Sequence, residues 1–163
     1  HTPEEKVKIA AAAEKIPLFF SANMSLGVAL LVELAKQAAA AFPEAEIEII
    51  EKHHNQKIDA PSGTALMLAD AINSAADENY EYKYNRQAKR EKRKKNEIGI
   101  HAVRGGTIVG EHDVIFAGHD EIVTVSHTAL SREVFATGAV KAAKFLYNKP
   151  VGLYDMNSIL NFN

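Results

Sequence analysis

The sequence of 163 residues contains no cysteine, which excludes disulfide bonds and thiolate chemistry and is typical of a reducing compartment. It also lacks any apolar run near the roughly 20 residues of a membrane-spanning helix, so we expect no membrane segment. A formal net charge of −2 gives no overall attraction to nucleic acid or anionic lipid. The remaining composition, 47% hydrophobic and 25% charged, predicts a cytoplasmic globular protein with one domain or parts of two.

Motifs for dinucleotide and metal binding are missing as well. No G-x-G-x-x-G occurs, so the sequence shows no dinucleotide fingerprint. Residues 105–110 resemble part of a phosphate loop, but Glu111 and His112 stand where lysine and serine or threonine are required, so we interpret this segment as a hairpin turn. His53 and His54 lack the i,i+4 spacing and a third ligand, and we predict no metal.

The start of the chain has the features of a helix N-terminus. Position 1 is His rather than Met, Thr2 can cap a helix, Pro3 suits the first helical position, and Glu5 completes a capping box. There is no secretory signal pattern. We therefore expect a fragment whose preceding segment has been removed.

The first half of the chain alternates helices with strands. Residues 2–15, 25–41 and 61–76 carry apolar side chains at helical spacing. Residues 16–20 form a solid apolar run, typical of a buried strand, and residues 47–53 alternate apolar with polar side chains. This order indicates α/β layering.

The second half begins with a shift in composition. Residues 77–96 become polar and then basic, and we interpret them as a solvated, mobile loop. Strands at 98–103, 107–116 and 121–128 follow, which we predict to form an antiparallel meander. A helix over residues 131–146 comes next.

Together these elements predict an α/β (α+β) fold with a mixed sheet of about four strands and helices on one face. The last strand carries apolar side chains on both faces, including Ile122 and Val123. We therefore expect the uncovered face to pack against the sheet of another subunit.

The candidate site lies between the strand at 47–53 and the helix at 61–76. His53, His54 and Lys57 can hold or move protons, and they precede a helix start whose first N–H groups attract anions. Gly63 lets a ligand approach the backbone closely. We expect an anionic substrate beside a proton donor.

Plainer interpretations compete with each part of this site. The histidine pair can be a hydrogen-bonded strand end, Lys57 an exposed lysine, and residues 61–64 an ordinary helix start. If the strand continued through both histidines, they would point to opposite faces. The basic run at 86–95 lacks interleaved aromatic residues, which disfavours nucleic-acid binding.

The stretch from Glu51 to Ala65 resembles the signature E-x-H-H-x-x-K-x-D-A-P-S-G-T-A of the 4-hydroxy-tetrahydrodipicolinate reductase family, also called dihydrodipicolinate reductases. Residues 21–25 resemble the family's domain-junction loop, and residues 103–112 resemble its hairpin. The family usually carries glycines among the arginines before that hairpin, whereas residues 86–95 have none. The resemblance otherwise extends over nearly the whole chain.

The resemblance implies an enzyme of the diaminopimelate route to lysine that uses NADH or NADPH to reduce a small cyclic dicarboxylate. It implies that His53 is the acid/base residue and Lys57 the proton donor, and our reading leaves the choice of donor between them open. Substrate carboxylates would be held by His54, Lys57, Ser62, Gly63 and Thr64. The nicotinamide side of the cleft would be lined by Ser21, Ala22, Asn23 and Met24.

The resemblance also implies a domain organisation and a homo-oligomer, commonly a tetramer joined through its sheets. Residues 1–24 would be the remnant of a Rossmann-type dinucleotide-binding domain, residues 25–130 the substrate-binding and assembly domain, and residues 131–163 a helix and tail that pack back on the former. The alternative is a module that binds a dicarboxylate and assembles without catalysis on its own.

Overall fold

The computed structural model describes residues 2–76 and 79–160, and predictions for residues 1, 77–78 and 161–163 lie outside the described residues. The helices are α1 (Pro3–Ala13), α2 (Leu26–Ala41), α3 (Gly63–Ala75) and α4 (Glu133–Leu146). The strands are β1 (Pro17–Phe19), β2 (Glu46–His53), β3 (Glu81–Lys83), β4 (Glu97–Arg104), β5 (Gly110–Ala117), β6 (Ile122–Ala129) and β7 (Gly152–Tyr154).

The chain divides into two compact units. Unit 1 comprises residues 1–30 and 132–163, and unit 2 comprises residues 31–131. In unit 1 the predicted capping box at Thr2 is present, and β1 pairs in parallel with β7. The strand at β1 is confirmed, but it is half-buried rather than buried because only this one neighbouring strand pairs with it among the described residues.

Exposed apolar side chains concentrate in unit 1. Among the described residues, eight of the thirteen large apolar side chains that are exposed belong to it, although it is the smaller unit. They are Val7, Ile16, Leu30, Phe135, Val140, Tyr147, Val151 and Leu153. A surface of this kind is typical of a face that packs against other protein.

Unit 2 is built on a mixed five-stranded sheet in the order β3-β4-β2-β5-β6. Residues of α2 and α3 pack on one face of it, and the core joins Leu31, Leu68 and Ile72 to Ile49 and Phe116. Mixed α/β architecture with helices on one face is thus confirmed. The strand count is five rather than about four because β3, in the segment predicted to be a loop, pairs with β4.

The predicted antiparallel meander is wrong, and so is the hairpin turn at residues 105–110. β2 lies between β4 and β5, parallel to the first and antiparallel to the second. The loop after β4 instead crosses the end of β2, where Gly105 N–H donates to the His53 carbonyl at 2.9 Å and Gly106 adopts a φ of 48°. Among the strands of the described residues, only β5 and β6 are consecutive and paired antiparallel.

Side chains of the basic segment are bonded to the sheet, which corrects the expectation of a loop surrounded only by solvent. Arg86 donates to Glu48 and Glu97 at 3.1 Å each, and the Arg93 Nε donates to Glu48 at 3.0 Å. These partners lie 11 to 45 residues away in the chain. Composition alone cannot show such partners, so the sequence predicted a solvated segment.

Within the described residues, no helix is both long and apolar enough to cross a membrane.

Candidate active site

β2 ends at His53, and this determines the geometry of the histidine pair. His54 lies outside the strand, in a turn where its carbonyl accepts from Lys57 N–H at 3.2 Å. Strand alternation therefore does not force the two side chains onto opposite faces. His53 follows the face of Glu51, which is the helix-covered face of the sheet.

A completely buried carboxylate, Glu51, is the centre of the cluster. Its Oε2 accepts from His53 Nδ1 at 2.6 Å and from Arg104 Nη1 at 2.7 Å. Its Oε1 accepts from Arg104 Nη2 at 2.7 Å and from Ser62 N–H at 3.0 Å. Glu51 thereby joins the end of β2, the end of β4 and the start of α3.

The electrostatics of Glu51 follow from these contacts. Burial by itself raises the pKa of Glu51, but the hydrogen bonds from Arg104, His53 and Ser62 outweigh it, so the pKa lies below its usual value. The hydrogen bond to Glu51 in turn raises the pKa of Arg104. Both groups are therefore charged in the folded protein, and the guanidinium compensates the buried carboxylate.

His112 lies beside His53 on the same face of the sheet. The two rings meet edge to face with 5.2 Å between their centroids, and His112 Nε2 lies 3.0 Å from Ser62 Oγ. Burial, followed by the nearness of His53, lowers the pKa of His112 to about 4. His112 is therefore neutral near pH 7, and among the described residues its Nδ1 has no hydrogen-bond partner.

The start of α3 divides into a buried part and an open part. Ser62 is 2% exposed, its Oγ accepts from Ala65 N–H at 3.2 Å, and its own N–H is donated to Glu51. Gly63, the first helical residue, is exposed, and a Cβ built on it meets nothing within 4 Å. Thr64 is half-buried. An anion therefore has access to the backbone at Gly63.

Lys57 occupies the loop between His53 and the start of α3. Its Nζ donates to Asp59 Oδ1 at 2.8 Å, and this bond lowers the pKa of Asp59. Arg104 Nη2, which also bonds Glu51, donates to the Asp59 carbonyl at 2.7 Å. One arginine thus anchors both the carboxylate behind His53 and the residue that pairs with Lys57.

The predicted cofactor-side residues form a loop in unit 1. Ser21 Oγ donates to the Asn23 carbonyl at 2.8 Å, and Asn23 Oδ1 accepts from Ser25 N–H at 2.8 Å. A Cβ on Gly138 of α4 would collide with the Met24 carbonyl, so the helix contacts this loop closely. Ala22 is exposed at its turn.

Three residues of the cluster received no role from the sequence. Glu51 entered the sequence analysis only as the first residue of the signature, and Arg104 and His112 belonged to a segment interpreted as a hairpin. The available signal was their position in the two matching segments, at the ends of strands. In the described parts, residues 2–76 and 79–160, no three His, Cys, Asp or Glu side chains come together as metal ligands.

Fold and cluster together define an α+β domain in which a histidine–carboxylate pair lies beside an exposed helix start. The chain belongs to the family described as dihydrodipicolinate reductase, C-terminus, whose model matches residues 27–160. It is 61% identical over 158 residues to the 4-hydroxy-tetrahydrodipicolinate reductase of Caldanaerobacter subterraneus subsp. tengcongensis, with 96% of this chain covered. It is 53% identical over 162 residues to that of Clostridium tetani, with 99% of this chain covered.

The chain spans 63% of the length of each of these two relatives. Among solved structures, it is similar to dipicolinate-bound dihydrodipicolinate reductase from Paenisporosarcina sp. TG-14. That match has a TM-score of 0.76 and 29% identity, and it covers 96% of this chain and 60% of the other.

Proposed function

We propose that this chain is the substrate-binding and catalytic portion of an NADH- or NADPH-dependent reductase that converts 4-hydroxy-tetrahydrodipicolinate to tetrahydrodipicolinate in diaminopimelate and lysine biosynthesis. The observation that carries the proposal is the double attachment of Glu51. It bonds a proton-exchanging histidine and the start of α3 at the same time. The names of the relatives and the dipicolinate in the similar structure support a dicarboxylate as the ligand.

The substrate carboxylates bind at the exposed helix start. Gly63 offers an accessible N–H and Thr64 a hydroxyl, while Lys57 and His54 supply donors from the preceding loop. Ser62 has a different part from the one that the sequence implied. Because its N–H is donated to Glu51, it orients the helix start rather than holding the ligand itself.

The conversion removes the 4-hydroxyl group as water, which leaves a conjugated ring, and it adds a hydride and a proton to that ring. This chain accounts for the proton. Negative charge that develops on the conjugated ring is stabilised by the Lys57 ammonium and neutralised by a proton from Lys57 or His53. The Asp59 carboxylate holds Lys57, and Glu51 holds His53, so both donors are fixed before substrate arrives.

NADH or NADPH supplies the hydride when bound, but the described residues do not fit the whole cofactor. They contain no glycine-rich turn between a strand and a helix that could hold the pyrophosphate. We assign only the nicotinamide side to Ser21, Ala22, Asn23 and Met24. We propose that the rest of the cofactor binds in the part of the relatives' sequences that this chain does not cover.

The domain division and the assembly belong to the same proposal. Residues 25–130 bind substrate, and residues 1–24 and 131–163 pack with the dinucleotide-binding domain, which accounts for the exposed apolar side chains of unit 1. The sheet face opposite α3 carries Ile50, Ile115 and Ile122 and joins subunits of a cytoplasmic homotetramer.

Calorimetric titration with pyridine-2,6-dicarboxylate tests the site. We expect saturable binding to this chain, abolished by Lys57→Ala and preserved in Lys52→Ala, whose lysine bonds Glu111 and Asp113 on the opposite face of the sheet. Equal binding by all three proteins would contradict the proposal. In the full-length enzyme Lys57→Ala should lower turnover strongly, and cofactor titration separates an enzyme from a binding module.

A further inference from the structure

Glu51 stands directly behind His53, and its bonding is complete. An ionised carboxylate offers about four acceptor positions. Four donors occupy them here, namely His53 Nδ1, the two terminal nitrogens of Arg104 and the Ser62 N–H. Glu51 is therefore a fixed acceptor rather than a base that takes up protons during the reaction.

This bonding determines which nitrogen of His53 can exchange a proton. An ionised carboxylate only accepts hydrogen bonds, so at 2.6 Å the His53 Nδ1 must donate. Neutral His53 then carries its proton on Nδ1 and a lone pair on Nε2. Gly110 leaves space at that nitrogen, because a Cβ there would stand 3.1 Å from Nε2.

The other groups around His53 cannot replace Glu51. Arg104, from β4, is only a donor and already balances the charge of Glu51. His112, from β5, meets His53 edge to face, and its Nε2 is bonded to Ser62 Oγ. Among the side chains of the described cluster, Glu51 is the acceptor that orients the ring.

We propose that Glu51 is a positioning residue that holds His53 in the Nδ1–H tautomer and leaves Nε2, on the Gly110 side of the ring, as the proton-exchanging nitrogen. The same carboxylate accepts the Ser62 N–H, so the orientation of the histidine ring and the place of the anion site are fixed together. The role of Nε2 in turnover rests on the proposed function; the tautomer does not.

Nitrogen-15 NMR of the imidazole rings of the unsubstituted chain tests the tautomer directly. The His53 signals are assigned among seven histidines by their loss in His53→Gln. We expect a protonated Nδ1 and a bare Nε2 for neutral His53. The opposite tautomer would overturn the proposal without any further variant.

Glu51→Gln is the sharper test because it keeps the shape and replaces one oxygen by a donor. The Ser62 N–H requires an acceptor, so the amide oxygen stays towards Ser62 and the amide nitrogen faces His53 Nδ1. His53 should then switch to the Nε2–H tautomer. The matched control is Glu48→Gln, which removes the carboxylate partner of His101 on the opposite face and should leave the His53 signals unchanged. An unchanged His53 tautomer in Glu51→Gln would refute the proposal.

Kinetics of the full-length reductase then test the consequence. Glu51→Gln should lower kcat at least about tenfold, equivalent to about 1.4 kcal/mol, and change the affinity for pyridine-2,6-dicarboxylate much less. Glu48→Gln should change neither. A reversed tautomer with normal kcat would overturn the positioning role, whereas failure of the unsubstituted chain to bind the dicarboxylate would overturn the proposed function and leave the tautomer result intact.

Discussion

Glu48 and Glu51 lie three residues apart on β2, on opposite faces of the sheet, and each is the centre of a cluster of arginine and histidine. Glu48 accepts from Arg86, Arg93 and His101 on the face opposite α3. Glu51 accepts from Arg104 and His53 on the helix-covered face, and additionally from the Ser62 N–H. The two clusters contain nearly the same residue types, but of the two only the Glu51 cluster adjoins a helix start.

That difference separates a candidate site from a structural contact. The Glu51 side chain is 0% exposed and the Glu48 side chain is 22% exposed, so water solvates part of the Glu48 carboxylate only. In both residues, burial raises the pKa of the carboxyl group, but the partners lower it by more. Each pKa therefore lies below its usual value. The Glu48 cluster fixes the basic segment to the sheet. The Glu51 cluster brings a histidine to an exposed helix start, the place proposed for the substrate carboxylates.

Removing an arginine from each cluster should give the largest contrast. Arg104→Ala leaves Glu51 buried without its compensating charge and should lower the free energy of unfolding by about 3 to 5 kcal/mol. Arg93→Ala should lower it by about 2 kcal/mol, since Glu48 keeps Arg86, His101 and water. Urea denaturation measures both. Equal losses would show that the two clusters do not differ in burial as described.

Lowering the pH should reduce the stability of the fold through His112, which lies on the helix-covered face of the sheet. His112 has a pKa of about 4 in the fold against 6.5 in the unfolded chain, so the unfolded chain binds more protons between these values and stability falls as pH falls through this window. The shift corresponds to about 3 kcal/mol. Thermal unfolding between pH 7 and 4 should therefore show a slope that His112→Gln reduces. His101→Gln, the matched change beside Glu48, should leave that slope; a slope unaffected by His112→Gln would exclude His112 as its source.

Gly99→Ala should break the Glu48 cluster alone. A Cβ at this position would collide with the Glu48 carboxylate, which must then leave its basic partners. We expect a loss of about 2 kcal/mol in the free energy of unfolding. In a Glu48→Ala background the same change should cost almost nothing, and additive losses in this double-mutant cycle would contradict the collision. Binding of pyridine-2,6-dicarboxylate should survive.

The smallest expected effect concerns Gly63 at the helix start. A Cβ there meets nothing within 4 Å, so Gly63→Ala should change stability by no more than about 0.5 kcal/mol. It should still weaken dicarboxylate binding about tenfold, about 1.4 kcal/mol, because the methyl group shields the N–H. Calorimetry compares it with Gly105→Ala, which also has open space but belongs to the loop after β4 rather than to the helix start. Equal affinities in the two variants would place the ligand elsewhere.

Much of the fold could be predicted from local patterns. The capping box at Thr2, the helix start at Ser62 and the strand that ends at His53 depend on residues close in sequence. The meander was mispredicted because alternation shows that a segment is a strand but not which strand is its neighbour. The basic segment was mispredicted because its partners, Glu48 and Glu97, lie in other elements.

The sequence by itself determined most of the elements, though not β3 or β7, as well as the absence of thiol chemistry and the residue types from Glu51 to Ala65. These depend on composition and on contacts between near neighbours. Only the tertiary structure decided that β2 lies between β4 and β5, which brings Arg104 across 53 residues to Glu51. The buried carboxylate needed that partner, because an uncompensated charge inside the protein is strongly destabilising. Strand order, and not the signature alone, therefore turned a glutamate, a histidine and a helix start into one site.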